Sequence, residues 1–199
     1  MTMDIEVKTT NFLMVGVGGQ GTILASNILA ALGVRLGYDV KKAEVHGMSQ
    51  RGGSVVSHLR WGSRVFAPIV SKGEVDILLA FEELEAARYI EYLRPGGLAL
   101  VNAYRIRPVT VSNGLAVYPP ETDLKTLVDQ VTDNAQWVCA EEIAEDLGNP
   151  RTANVVLLGA LSVLLDMDPA LWEEVIQQSL PPKLQQINLL AFRAGRKAL

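Results

Sequence analysis

The sequence contains a single cysteine, Cys139, and only two histidines, His46 and His58. One cysteine excludes an internal disulfide, and it excludes an iron–sulfur cluster or zinc site built from the cysteines of this chain alone. The two histidines do not have metal-motif spacing, so we expect no metal site. His58 lies in an alternating segment, residues 54–61, and is interpreted as structural. Cys139 has apolar neighbours, which predicts a buried small side chain rather than a nucleophile.

Long apolar runs and basic stripes are also absent. The longest apolar run, residues 155–165, is about half the length that crosses a bilayer. Residues 1–10 carry acids and no apolar core, unlike a signal peptide. The net charge is −4, so nucleic acid is not an expected partner. We therefore expect a soluble, cytoplasmic protein that contacts neither membrane nor nucleic acid.

The composition is that of a globular chain. Hydrophobic residues make up 49% and charged residues 20% of 199 residues, enough to bury a sizeable core. There is no linker, repeat or low-complexity segment. We predict one domain, residues 1–199, with its core at about 11–195.

A glycine-rich motif, GVGGQG at 16–21, follows an apolar strand pattern at 11–15 and precedes an amphipathic helix pattern at 22–36. In this context G-x-G-x-x-G predicts a turn whose backbone comes close to a ligand, above a helix N-terminus that favours anions. The alternative is that the glycines only let helix and strand pack. Gln20 could hydrogen-bond a ligand or a partner backbone without adding charge. The candidate site residues here are Gly16, Gly18, Gly19, Gln20 and Gly21.

The second predicted strand, residues 39–45, ends near Glu44, about where a ribose-binding acid sits in a dinucleotide fold. This is the strongest sequence argument for NAD, although glutamates at strand ends also occur for solubility. The next loop, to residue 53, is punctuated by glycine and has no helical period. Its Arg51 could grip a carboxylate or phosphate, or could pair with a local acid in a purely structural loop. Its candidate residues are His46, Gln50, Arg51, Gly52 and Gly53.

The remaining pattern predicts an α/β, Rossmann-like fold with a mostly parallel sheet, an inserted hairpin and a helical C-terminal quarter. The hairpin is predicted at 54–61 and 64–67, where a crossover helix would be expected. Residues 104–121 are predicted to be strand-rich, with Asn113-Gly114 as a hairpin turn. Asn154 is predicted to cap a buried helix that runs to about residue 165. No catalytic constellation is visible.

Six segments carry a resemblance to a known family: GVGGQGTILASNIL at 16–29, EVHGMSQRGGSVVSHLRWG at 44–62, D-x-L-L-A-x-E-x-x-E-A-x-R-Y at 76–89, LRPGG at 93–97, RTANVVLLGAL at 151–161 and NLLAF at 188–192. The chain resembles the gamma-type domain of 2-oxoacid:ferredoxin oxidoreductases, in particular the indolepyruvate type, from about residue 11 to 195. The loop that contains Gln50-Arg51-Gly52-Gly53 is the most specific part, since the glycine motif alone is shared by many folds.

The resemblance implies a subunit that completes an enzyme without supplying its catalytic groups. Thiamine diphosphate, Mg²⁺ and [4Fe–4S] clusters are expected in a larger alpha subunit, with CoA as co-substrate and ferredoxin as electron acceptor. An α2β2 assembly is expected. The candidate residues of both loops, together with Asn154, would face the partner or its substrate and CoA cavity. Alternatives are the same role for pyruvate or branched-chain 2-oxoacids, or a free-standing nucleotide-binding module that uses Glu44.

Overall fold

The computed structural model describes residues 9–46 and 53–199, and within them six strands form one sheet. The strands are β1 (Thr10–Val17), β2 (Asp39–His46), β3 (Ser54–Gly62), β4 (Val75–Ala80), β5 (Leu93–Asn102) and β6 (Ala135–Val138). Their spatial order is β2-β3-β1-β4-β5-β6. β1, β4, β5 and β6 pair in parallel, and β3 pairs antiparallel with both β1 and β2. The predicted α/β class with a mostly parallel sheet is thus confirmed, since only β3 runs against the other five.

Helices cover both faces of this sheet. They are α1 (Thr22–Arg35), α2 (Glu83–Tyr89), α3 (Val109–Ser112), α4 (Glu121–Asp129), α5 (Ala140–Asp146), α6 (Ala153–Leu164), α7 (Pro169–Gln178) and α8 (Pro182–Gly195). The side chains of β1 alternate between two cores because successive residues of a strand point to opposite faces. Phe12 and Met14 pack in the core with α1, α6, α7 and α8, whereas Leu13 and Val15 pack in the core with α2 and α4. The predicted helical C-terminal quarter is confirmed.

The inserted hairpin lies elsewhere than predicted. β2 and β3 form its two strands, with Asp39 opposite Gly62 and His46 opposite Val55. The predicted return strand at 64–67 is wrong, because β3 already has a neighbour on each side and offers no free edge. Instead, the Val65 N–H donates to the Asp39 carboxylate at 2.8 Å, and the chain leaves the sheet.

Two further expectations are corrected. Residues 103–120 contain the short helix α3 and no strand; Asn113 N–H donates to Val109 O at 2.9 Å, and Gly114, at φ 73°, ends that helical turn. Cys139 is exposed rather than buried, because β6 stops at Val138 and α5 begins one residue after Cys139. Partial desolvation of the thiol and the nearby Glu142 carboxylate nevertheless raise the pKa of Cys139, so the thiolate is disfavoured.

Helices α6 and α8 cross with their backbones in contact. A Cβ built on Gly159 would lie 2.1 Å from the carbonyl oxygen of Phe192, and one built on Gly195 would lie 1.9 Å from that of Val156. Only glycine fits at either position. The close packing that the sequence predicts around Gly159 is therefore present, with Gly195 as its counterpart on the facing helix.

His58 lies in β3, and its side chain is buried as a structural histidine, as predicted. Its Nδ1 accepts the N–H of Val70 at 3.2 Å, which holds the connection between β3 and β4 against the sheet. Burial lowers the pKa of His58 below its ordinary value of 6.5. As the pH falls through 6.5, His58 is therefore protonated less in the folded chain than in the unfolded chain.

The free energy of unfolding should consequently depend on His58 in mildly acidic solution. This contribution is complete above the unfolded-state pKa and is lost as the pH falls towards the lower, folded-state pKa, by up to about 1.4 kcal/mol for each pH unit. Urea unfolding of the purified chain at about pH 7 and about pH 5.5 measures this decrease in the free energy of unfolding. The variant His58→Gln should show a shallower decrease, and equal slopes in the two proteins would contradict the assignment.

No helix in the described ranges combines the length and the apolar character that a membrane crossing requires.

Candidate functional site

The carboxyl ends of β1, β4, β5 and β6 meet at one edge of the sheet, which we call the carboxyl edge. Open α/β sheets place their ligands at this edge, because strand ends and helix N-termini converge there. In this chain the glycine turn, residues 17–21, follows β1 directly, and the first residues of α2 and α5 follow β4 and β6.

The glycine turn is a tight turn that opens α1. The N–H of Gln20 donates to the carbonyl of Val17 at 3.2 Å, and Gly19 takes φ 107°. Gly21, at φ 79°, is the N-cap of α1, which has neither a side-chain cap nor an acidic residue in its first turn. The positive end of this helix is thus left without a charged side chain from its own first turn, which suits an anionic group or the carbonyl of another chain.

An open cavity of about 330 Å³ lies over this turn. It is lined by Val17, Gly18, Gly19, Gly21, Thr22, Ile23 and Val55. These described lining residues are largely glycine and aliphatic, so they offer the cavity backbone N–H donors and no charged side chain. Beneath it, the Thr22 hydroxyl is buried and has no hydrogen-bond partner among the described residues.

The second predicted loop returns to the glycine turn at its downstream end. Gly53 places its carbonyl 2.9 Å from the N–H of Gly18, and Ser54 then starts β3 opposite Val17. The Ser54 hydroxyl donates to the Glu85 carboxylate at 2.5 Å. The structure therefore joins the two predicted loops at Gly18 and Gly53. The side chain of His46 and residues 47–52, which include Gln50, Arg51 and Gly52, lie outside the described residues.

Asn154 and Gly16 shape the turn from below. The prediction that Asn154 caps its helix is wrong, because Asn154 lies within the first turn of α6. Its Nδ2 donates to the carbonyl of Gly21 at 3.2 Å. Its side chain is buried, and a Cβ on Gly21 would lie 2.3 Å from Nδ2. A Cβ on Gly16 would lie 2.9 Å from that of Phe81. Both residues support the turn without reaching its outer surface.

Glu44 is far from the position of a ribose-binding acid. β3 lies between β1 and β2, so Glu44 stands two strand spacings, about 10 Å, from β1 rather than one. Its carboxylate pairs with Lys42 at 2.6 Å. The structure thus keeps the glycine turn of a dinucleotide fold but moves the accompanying acid away from it.

A group of buried carboxylates, Glu82, Glu83 and Glu85, follows β4, and none of them was among the predicted site residues. Glu82 accepts from the N–H of Glu85 at 2.9 Å, from the N–H of Ile106 at 3.1 Å and from the hydroxyl of Tyr118. Burial raises the pKa of Glu85, and burial together with the Glu82 carboxylate raises the pKa of Tyr118. The sequence feature that could have indicated these buried carboxylates is the E-E-x-E run at 82–85, directly after a buried strand.

Glu82 fixes both ends of residues 103–120, which we call the edge loop. Ile106 and Tyr118 bind the same carboxylate, and Arg105 donates to Glu83 at 2.7 Å. Three aliphatic side chains between these anchors are largely exposed. They are Val109 at 68%, Leu115 at 80% and Val117 at 89%. The loop is therefore held in place from inside while its apolar side chains bury little within this chain, which is typical of an interaction surface.

The described part of the chain contains no cluster of three or more histidine, cysteine, aspartate or glutamate side chains that could hold a metal ion. The whole sequence has one cysteine, and a [4Fe–4S] cluster requires four. The residues present do not fit such a cluster. What the carboxyl edge can do is bind: it presents backbone donors, a helix N-terminus and exposed apolar groups.

Fold and site together define a Rossmann-like α/β binding domain whose carboxyl edge is open. Residues 11–198 match the family model described as pyruvate ferredoxin/flavodoxin oxidoreductase, and the chain belongs to this family. It is 44% identical over 195 residues to the protein named "Indolepyruvate oxidoreductase subunit IorB" from Thermococcus kodakarensis, covering 96% of each chain. It is 43% identical over 196 residues to the protein of the same name from Pyrococcus horikoshii, again over 96% of each.

The fold recurs in a solved structure. The gamma subunit of a keto/oxoacid ferredoxin oxidoreductase from Geobacter sulfurreducens superposes with a TM-score of 0.69 at 22% identity, covering 95% of this chain and 97% of that one. This likeness shows that the two chains share their fold.

Proposed function

We propose that this chain is the small, non-catalytic subunit of an oxidoreductase that converts indolepyruvate or related aryl 2-oxoacids to acyl-CoA with reduction of ferredoxin. The observation that carries the proposal is similarity along the full length, at 44% identity, to a subunit named for indolepyruvate.

The partner would be a larger alpha subunit that holds thiamine diphosphate with Mg²⁺ and the [4Fe–4S] clusters. Thiamine diphosphate supplies the carbanion chemistry that decarboxylation of a 2-oxoacid needs. The residues of this chain would instead exclude water, complete a cavity and bind one end of CoA. An α2β2 complex located in the cytoplasm is part of this proposal.

Within that complex the carboxyl edge would face the alpha subunit and its CoA cavity. The glycine turn offers Gly18, Gly19 and Gly21 beside a helix N-terminus, a suitable place for a phosphate or a carbonyl. Gln50, Arg51 and Gly52 are proposed to contribute from the neighbouring loop, together with His46 and Gly53. Arginine would add the bidentate grip on phosphate or carboxylate that the turn lacks.

Reconstitution tests the proposal. The alpha subunit is produced anaerobically with and without this chain, and reduction of a viologen dye is measured with indolepyruvate and CoA. We expect CoA-dependent reduction only when both subunits are present, with a co-purifying mass that gives the stoichiometry. Equal activity with and without this chain would refute the proposed role.

Substrate choice is tested on the same complex. Aryl 2-oxoacids should give higher kcat/KM than pyruvate or branched-chain 2-oxoacids, and the reverse order would assign the complex to the alternative substrates. Titration calorimetry of the isolated chain with NAD tests the alternative of a free-standing nucleotide-binding module. The displacement of Glu44 from the glycine turn leads us to expect no binding.

A further inference from the structure

A continuous series of hydrogen bonds runs along the carboxyl edge from β1 to α5, and two neutral amide side chains make it. The first is Gln20, in the glycine turn, and the second is Asn102, the last residue of β5. Both bind the same atom, the carbonyl oxygen of Phe81 at the end of β4. We call this series the amide belt.

Gln20 uses both ends of its amide inside the chain. Oε1 accepts the N–H of Val17 at 2.8 Å, and Nε2 donates to the carbonyl of Phe81 at 2.7 Å. The side chain therefore spans from the end of β1 to the end of β4, where the paired strands part. It closes the glycine turn from the inside, so its amide is not directed at a ligand.

Asn102 continues the belt across the next two strands. Its Nδ2 donates to Phe81 O at 3.1 Å and also to the Glu141 carboxylate, and its Oδ1 accepts the N–H of Ala140 at 3.0 Å. Asn102 is buried, and Ala140 is the first residue of α5. Three strand ends and two helix starts are thereby held at fixed spacing.

We infer that Gln20 is a positioning residue for CoA: its amide fixes the orientation of the glycine turn relative to the ends of β4 and β5. Gly19 and the first residues of α1 line the cavity over this turn, and the amide keeps their backbone N–H groups from tilting. This inference rests on the proposed function, which places that surface in the CoA cavity. A small tilt of preorganised donors costs binding even when no contact is deleted.

The test variant is Gln20→Glu in the assembled complex. It keeps the size of the side chain and the acceptor for Val17, but it puts an oxygen where Nε2 donates to Phe81. The matched control is Gln185→Glu. Gln185 Nε2 also donates to two carbonyls, those of Gln177 and Leu180, but it is half-buried and lies at the start of α8, away from the carboxyl edge.

We expect KM for CoA to rise about tenfold in Gln20→Glu, the scale of one lost hydrogen bond, with kcat and KM for the 2-oxoacid changed less than about twofold. Gln185→Glu should behave as wild type. The inference would be overturned if the KM for CoA of Gln20→Glu lay within about twofold of the values for the wild type and for Gln185→Glu.

A second variant keeps the inference testable if the glutamate variant does not assemble. Gln20→Met removes both hydrogen bonds without adding a charge, and it should give the same selective rise in KM for CoA, at least about tenfold. An unchanged KM would overturn the inference. A wild-type complex without CoA-dependent activity would refute the proposed function instead, so the two failures are distinguishable.

Discussion

Replacing Val117 with glutamate should weaken association with the alpha subunit at least about 100-fold, because an unpaired charge in a buried interface costs on the order of 3–5 kcal/mol. Val117 is 89% exposed at the end of a loop whose ends are anchored on Glu82. Because so little of the Val117 side chain is buried, the folded subunit should keep its thermal stability. The expectation rests on the proposed partner covering the edge loop.

Co-purification and sedimentation with the alpha subunit measure this effect, and Val34→Glu is the matched control. Val34 is 63% exposed and lies near the end of α1, at the opposite edge of the sheet from Val117. We expect normal assembly with Val34→Glu and little or none with Val117→Glu. Assembly of both variants at wild-type affinity would show that the edge loop is not part of the interface.

Gly159→Ala should destabilise the chain by at least about 2 kcal/mol, or about 4–8 °C in Tm. The added methyl group would meet a backbone carbonyl at 2.1 Å, and a backbone cannot give way as a side chain can. Helices α6 and α8 must therefore separate, which opens the core beneath them. The higher helix propensity of alanine, about 1 kcal/mol, offsets only part of the loss.

The double variant Gly159→Ala with Gly195→Ala provides an internal check. Both methyl groups act by separating the same two helices, so the second should cost less once the first has moved them apart. Thermal and urea unfolding of the two single variants and the double variant measure this coupling. Strictly additive losses, or a Gly159→Ala protein as stable as wild type, would contradict the backbone contact.

The sequence was most informative where the signal is local. The apolar run before GVGGQG, the helix after it and the buried helix around Gly159 depend on neighbours within a few residues, and all three are present as predicted. Asn113-Gly114 was misread because the same dipeptide can close a hairpin or end a helical turn. The choice depends on Val109–Ser112 forming that turn, which the apolar pattern of the segment did not indicate.

The unpredicted features depend on contacts between distant parts of the chain. The position of β3 between β1 and β2 depends on how all the strands of the sheet pair, and it determines how far Glu44 lies from β1. The role of Gln20 depends on a carbonyl 61 residues away, and that of Asn154 on one 133 residues away. The one sequence feature that pointed to the amide belt is that Asn102, a polar residue, ends the apolar strand β5. Its partners could not be inferred from spacing.

The amide belt also bears on how the glycine turn responds to acidity. Gln20 carries no titratable group and both of its partners are backbone groups, so between mild acid and mild base no group of this brace gains or loses a proton. The geometry of the turn should therefore be the same across the physiological pH range, unlike a turn braced by carboxylates or histidines. Any pH optimum of the assembled oxidoreductase would then report on groups of its chemistry and not on the shape of this surface.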